Sequence, residues 1–294
     1  MAENRADISR MKASERPAGR KVFGRVCIFL FLTILGLFMA IPVYLTVVMS
    51  VKPQHEMFIF PPKLYAEEPT LSNFAEMFRI CSSGSVPFSR YVFNSAAVTA
   101  AVTAMQTVFS SMAAFCLAKV KFPGAKIINS IIVISLLYQS SAIYIMQYMV
   151  LAKLGMVNRI AALILPAAAS PMCLFLMRQS MSTIPDSVIE AAKVDGAGLF
   201  RICWQIAIPN QKPALMTVVI FAFQAAWNIQ GGSVIFDESM KTLPTVVQQA
   251  AAAGLSRAGT AMAAAVFMLI PPAVIFMAAQ RQVIETMAHS GLKE

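Results

Sequence analysis

Few side chains in this sequence are equipped to make or break bonds. His55 and His289 stand isolated, and Cys27, Cys81, Cys116, Cys173 and Cys203 show no metal-type spacing. No Gly-x-x-x-x-Gly-Lys-Ser/Thr phosphate loop occurs. The chain is therefore expected to have no catalytic residues, no metal and no cofactor. Chemistry of another kind is open to Gln139, Tyr144, Gln147, Gln224, Trp227 and Asn228, amides and aromatics set in otherwise apolar stretches. Amides exchange hydrogen bonds with polar groups of a solute and rings stack on its apolar faces, so these types could line a pathway. Each amide has an alternative use in bonding a neighbouring helix, because an unpaired amide in hydrocarbon is costly. Asn228 is favoured as pathway-lining, and Asn94, early in another apolar stretch, joins the candidate set. A second group, Glu190-Ala191-Ala192 with Asp195 and Gly196, then Ile206 and Pro209, has the types needed at a docking joint. Small side chains allow close approach, glycine allows a turn no larger residue makes, and Glu190 offers a charge to a partner.

These residues must be positioned by membrane-spanning helices. The 294 residues are 58% apolar and 13% charged, about half the charged fraction of a soluble domain. A span needs roughly 20 mainly apolar residues. Six uncharged windows approach or exceed that length, at 26–50, 91–118, 127–150, 160–177, 213–232 and 261–280. Ion-coupled carriers usually keep a few charges inside their spans, and these windows contain none, so the energy for uphill transport is expected to come from a partner.

Orientation follows from Lys and Arg, which resist translocation when close to a span. Segments 1–25, 119–126, 178–212 and 281–294 hold 16 of them, and 51–90, 151–159 and 233–260 hold 8. Both termini are therefore expected in the cytoplasm. The net charge of +10 is a topology signal and does not point to nucleic acid. The expected organisation is a cytoplasmic tail at 1–25, a first span at 26–50 acting as an uncleaved signal anchor, and an external segment at 51–90. A permease core follows at 91–280, then a cytoplasmic tail at 281–294. Five prolines break the external segment, which has room for a short helix at 71–78. Cys81, alone outside, is not expected to form a disulfide within the chain.

The loop at 178–212 is too long for a simple turn and reads as helix-turn-helix. Thr183 is expected to cap a helix with Pro185 in its first turn and Asp186 at its positive end. Ile184, Val188, Ala191 and Ala192 would share one face, with Glu190 and Lys193 paired beside it. Gly196 should stop this helix. A second would start near Gly198, bury Leu199, Ile202, Cys203 and Ile206, and end at Pro209.

With its spacing of Glu190-Ala191-Ala192, Asp195-Gly196 and Ile206-Ala207-Ile208-Pro209, the loop resembles the signature of permease subunits of binding-protein-dependent ABC importers. Ile208 stands where that signature has leucine. Asn94-Ser95, Ala113-Ala114-Phe115, Phe122-Pro123-Gly124, Leu154 to Asn158, Trp227-Asn228 and Thr242-Leu243-Pro244 extend the resemblance to the carbohydrate-transporter branch, relatives of the maltose importer's smaller permease. The resemblance implies an all-α membrane protein of six transmembrane helices in a bacterial plasma membrane. It also implies that the loop between the fourth and fifth spans couples to an ATPase. Implied partners are a second permease in a heterodimer, two cytoplasmic ATPase subunits, an extracytoplasmic solute-binding protein, a carbohydrate and membrane lipid. Where the family often has proline in the third span, this chain has Gln139-Ser140-Ser141, and its tail has Thr286 and His289 where the family is richer in glycine. Peptide, phosphate and polyamine importers share the loop motif, so a non-sugar solute stays open, as do an ion-coupled carrier and a membrane scaffold.

Overall fold

The computed structural model describes residues 18–57, 59, 61, 63–82, 86–137, 140–252 and 257–290. The described residues form helices, joining segments and no strand. Gln139 and the tails at 1–17 and 291–294 lie outside them.

Helix α1 (Ala18–Val51) is long and uniformly apolar, and from Ile28 to Tyr44 its side chains are exposed nearly all round. A helix hydrophobic on every face is stable only in hydrocarbon or against another protein. Short α2 (Gln54–Met57) and α3 (Ser72–Ser82) follow. The expected helix at 71–78 is thus real but runs a turn further. The Asn73 carboxamide fastens α3 to the end of α1 by donating to the carbonyls of Ser50 (2.9 Å) and Lys52 (2.7 Å).

Helix α4 (Phe88–Lys119) is the centre of the molecule and packs on α8 (Pro171–Met181) and α12 (Lys212–Trp227). Its close-packed face is rich in small and hydroxyl residues, including Ser95, Thr99, Ser110, Ser111 and Ala114, which let neighbouring backbones approach. Two apolar clusters flank its ends. One gathers Phe115, Met177, Met181, Ile202 and Val218, and the other Val98, Val102, Leu163, Ala226 and Ile235. After α13 (Leu243–Ala251), helix α14 (Ala258–Ser290) closes the bundle against α1 and α12.

Several window boundaries need correction. The third window is not one helix among the described residues: α5 (Ala125–Ser135) ends before α6 (Ser140–Lys153) begins. The fourth is divided into α7 (Ala161–Ala167) and α8. Pro166 stays inside α7, and the break falls at Ser170, which caps α8 by accepting from the Cys173 N–H (3.3 Å) ahead of Pro171. The fifth window stays helical only to Trp227, because Asn228 leaves the helix. The last helix continues beyond 280 to Ser290, so most of the expected tail is helical. Among the described residues, four helical stretches are long and apolar enough to cross a membrane: Gly24–Val51, Phe88–Lys119, Ala161–Met181 and Ala258–Gln280. Helix α12 meets that test only together with Leu199–Asn210, from which it is bent by 87°. At 16 residues it is about 24 Å long, short of the roughly 30 Å hydrocarbon core.

Candidate functional site

Two places bring sequence-predicted residues together, one in the loop before α12 and one in the bundle. In the loop, α9 (Asp186–Val194) has Pro185 at its N-cap and no side-chain cap bond. Thr183 is not the cap, because its hydroxyl donates to the Ser180 carbonyl (2.8 Å) in the preceding turn. Asp186 does occupy the first turn, and its carboxylate takes the Lys119 ammonium at 2.7 Å. That ammonium also donates to the Ile184 carbonyl, so the last residue of α4 holds the start of α9. The Lys119 ammonium, by hydrogen bond and by charge, holds Asp186 below its ordinary 3.8, and Lys121 and Lys193 add to the effect.

Gly196 ends α9 in the left-handed region, at φ +79°. Its N–H donates to Lys193 O (3.0 Å) and the Ala197 N–H reaches back to Ala192 O (3.0 Å), the paired bonds of a Schellman stop. Gly198 then caps α10 (Leu199–Ile202), a π-helical turn covers Cys203–Ala207, and α11 (Ile208–Asn210) completes the segment. Pro209 does not end it. The wide turn before Pro209 leaves room for its ring, and the chain turns at Gln211.

The expected apolar face is partly wrong. Ile184, Ile189 and Ala192 are buried in the core with Ile202, Cys203 and Ala207, and Ile206 is packed against them. Val188, Ala191 and Leu199 face outward. Glu190 is exposed and forms no ion pair with Lys193. Val194 is 87% exposed and Phe200 68%. The two alanines therefore differ: Ala192 is fixed inside this chain, and Ala191 sits beside Glu190 and Val194 on bare surface.

In the bundle, Tyr144, Gln147 and Asn228 line one cavity of about 490 Å³ between α6, α7 and the end of α12. Tyr148 and Gln230 complete its polar lining. Tyr144, Gln147 and Tyr148 stand at i, i+3 and i+4 on α6, a spacing that puts them on one face, so Tyr148 was findable from the sequence. Gln230 lies past the helix end and carries no such signal. Asn228 donates to the Gln224 carbonyl (2.8 Å), which leaves its own oxygen available as an acceptor. The Tyr144 hydroxyl shares a hydrogen bond with Ser233 Oγ.

The other three pathway candidates have structural employment. Asn94 is 2% exposed, and its amide donates to the carbonyls of Ser239 (2.8 Å) and Lys241 (3.0 Å). Trp227 is buried, stacked on Phe223, and donates its indole N–H to Met268 O (3.0 Å), which joins α12 to α14. Gln224 contributes its backbone to Asn228 and does not line the cavity. Asn94 grips the segment after α12 from one side. From the other, Asn158, at φ +60°, accepts from the N–H groups of Phe236 (3.0 Å) and Asp237 (2.9 Å). This segment carries the cavity residues Ile229, Gln230 and Val234.

Comparison with known proteins places these features in context. Residues 18–289 match the family described as binding-protein-dependent transport system inner membrane component. The chain is 28% identical over 212 residues to the sn-glycerol-3-phosphate transport system permease protein UgpE of Yersinia enterocolitica, covering 71% of this chain and 75% of that protein. It is also 28% identical over 254 residues to the protein of that name in Escherichia coli O1:K1, covering 85% and 90%. Its fold is shared, at a TM-score of 0.72 and 21% identity, by a chain of a bacterial ABC transporter involved in import of the acidic polysaccharide alginate, over 91% of this chain and 98% of that one.

Proposed function

The chain belongs to the family of binding-protein-dependent transport system inner membrane components, and from that premise we propose that it is a permease subunit of an ATP-driven importer for a carbohydrate. In this reading it crosses a bacterial plasma membrane six times with both termini in the cytoplasm. The broken helices α5–α6 and α7–α8 each make one span, and α12 is completed by the residues after Trp227. A second permease supplies the other half of the pathway. A solute-binding protein delivers the solute from outside, and two ATPase subunits dock on the segment from α9 to α11.

The family match over 18–289 carries the reading. The bare face of α9 supports the docking role: a buried side welds the helix to the bundle, and an exposed side with Glu190, Ala191 and Val194 is free for a partner. Movement of a partner seated there would reach the bundle through Ile189 and Ala192 as a rigid lever. The cavity supports a carbohydrate. Among the described residues its lining has phenol and amide groups and no charged side chain, which suits a neutral polyhydroxylated solute. A second reading, an anionic solute, is raised by the name of a sequence relative, a permease for sn-glycerol-3-phosphate.

Uptake by cells carrying the complete transporter decides between these. Neutral sugars should be accumulated in an ATP-dependent way, and Gln147→Ala with Asn228→Ala should raise the half-saturating concentration about tenfold, the equivalent of one or two hydrogen bonds. Accumulation of phosphorylated or acidic solutes alone would move the reading to the anion importer. Uptake driven by an ion gradient, in vesicles containing this chain by itself, would remove the importer reading altogether.

A further inference from the structure

A cavity of about 950 Å³, larger than the one in the bundle, lies between the α4–α5 turn and α9. Lys119, Lys121, Lys126 and Lys193 line it with Asp186 and Glu190. Lys119, its side chain 6% exposed, is neutralised by Asp186 at 2.7 Å. Among the described residues the three remaining ammonium groups have no ion-pair partner, and Glu190 is the one carboxylate of the lining left against them. The cavity therefore holds an uncompensated positive charge contributed by two elements distant in sequence.

Its other wall is apolar. Leu117 and Ala118, in the last turn of α4, and Ile127, in the first turn of α5 and 67% exposed, belong to the ends of helices that enter the bilayer. Ammonium groups beside a wall of half-buried Leu117 and Ala118 and exposed Ile127 match a phospholipid, in which a phosphate and acyl chains are joined at such a boundary. Basic pockets between spans at the cytoplasmic surface take anionic headgroups on this principle. Size argues in the same direction: at roughly 30 Å³ per water the space would hold about thirty waters, far more than a free phosphate ion displaces.

We propose that this cavity seats the phosphate of an anionic phospholipid headgroup, with Lys121 and Lys126 binding it from the α4–α5 turn and Lys193 from α9. A lipid held there would bridge the membrane-fixed turn to the helix proposed to receive the ATPase, making that helix's stiffness depend on lipid composition. The inference rests on the membrane embedding of α4 and α5 and not on the import reading, and it is tested without transport.

The full chain, with whatever subunits accompany it, is placed in phosphatidylcholine discs containing increasing phosphatidylglycerol, and retained lipid is read by native mass spectrometry. Retention of phosphatidylglycerol should fall roughly twenty-five-fold in Lys126→Gln/Lys193→Gln, at about fivefold per lysine. It should persist in Lys126→Arg/Lys193→Arg, which shows that the site and the fold tolerate substitution. Arg201→Gln/Lys212→Gln removes the same charge from the loop that carries Lys193, outside the cavity, and should retain lipid like the parent. Equal loss in that control overturns the proposal, since general charge would then explain binding. Displacement of phosphatidylglycerol by millimolar inorganic phosphate overturns it in favour of a free-anion site. Loss of accompanying subunits with undiminished lipid in the glutamine pair overturns it in favour of a protein-docking surface.

Discussion

Lys119, the last residue of α4, and Asp186, the first of α9, meet at 2.7 Å across 67 residues of sequence, with the ammonium almost buried and the carboxylate largely exposed. The same ammonium donates to the Ile184 carbonyl, so one side chain fixes both where α9 begins and how it leans on the bundle. Asp186 is held below its ordinary 3.8, which sets the direction of its pH dependence. A depressed carboxylate stabilises the fold above its unfolded value and loses that contribution as pH falls through its folded value. Asp186→Asn should therefore lower the melting temperature of the purified protein slightly and by a constant amount from neutrality down to about pH 5. The gap to the parent should close only below the ordinary 3.8. A gap that closed between pH 7 and 5 would mean that another group, and not this carboxylate, governs the joint.

Asn94 is predicted to act on stability and not on solute. Replacing it by alanine strands the Ser239 and Lys241 carbonyls, at a cost of about 1–3 kcal/mol for each that finds no water. Asn94→Ala should speed amide hydrogen exchange across 237–243 and lower the melting temperature, with the half-saturating solute concentration little changed. A shift in solute affinity at unchanged melting temperature would return Asn94 to the pathway.

The hydrogen bonds of Asn94 show where sequence reasoning runs out. An amide in an apolar helix looks the same whether its partner is a passing solute or a carbonyl 145 residues away, because only the fold brings Ser239 to it. Trp227 is ambiguous for the same reason, its partner being a backbone carbonyl on α14. Local constraints were legible: Gly196 is demanded by a left-handed stop whose hydrogen bonds span six residues, and Tyr144 and Gln147 share a helical face. The divided third and fourth windows were not. Apolar composition is as continuous through 127–150 and 160–177 as in an unbroken helix, and hydropathy does not register a backbone break. The helix-turn-helix was readable in outline, but its buried face was not. Val188 and Ile189 are both apolar, and only packing against Ile202 and Cys203 selects Ile189.

Two glycines should respond to alanine in opposite proportion to their prominence in the sequence. Gly196 carries the motif, yet nothing lies within 4 Å of where a Cβ would sit, so Gly196→Ala costs only the left-handed backbone, about 1–2 kcal/mol. Gly259 belongs to no motif, but a Cβ there would fall 2.5 Å from Asn73 Oδ1 and from Met57 Cε. Met57 can swing away. Asn73 cannot without giving up its bonds to Ser50 and Lys52, so overpacking of about 1–3 kcal/mol is joined by the loss of those bonds. Thermal unfolding should rank Gly259→Ala as the more damaging change, and the reverse order would mean that the junction of α1, α3 and α14 is looser than its hydrogen bonds indicate.

Neighbouring alanines on α9 provide the sharpest test of the docking face. Ala192 is 6% exposed and packed with Ile189 and Ile202, so a thiol placed there is shielded by this chain itself. Ala191 and Val194 lie on the bare side. In a background whose native cysteines are replaced, Ala191→Cys and Val194→Cys should react with a membrane-permeant maleimide at least tenfold faster than Ala192→Cys, since attack requires an accessible thiolate. With the ATPase subunits present, those two should become protected and should form cross-links to them, and Ala192→Cys should do neither. Equal reactivity at 191 and 192 would mean that α9 is not seated on Ile202 and Cys203 as described. Fast labelling at 191 and 194 that the ATPase leaves unchanged would place the docking surface elsewhere on the chain.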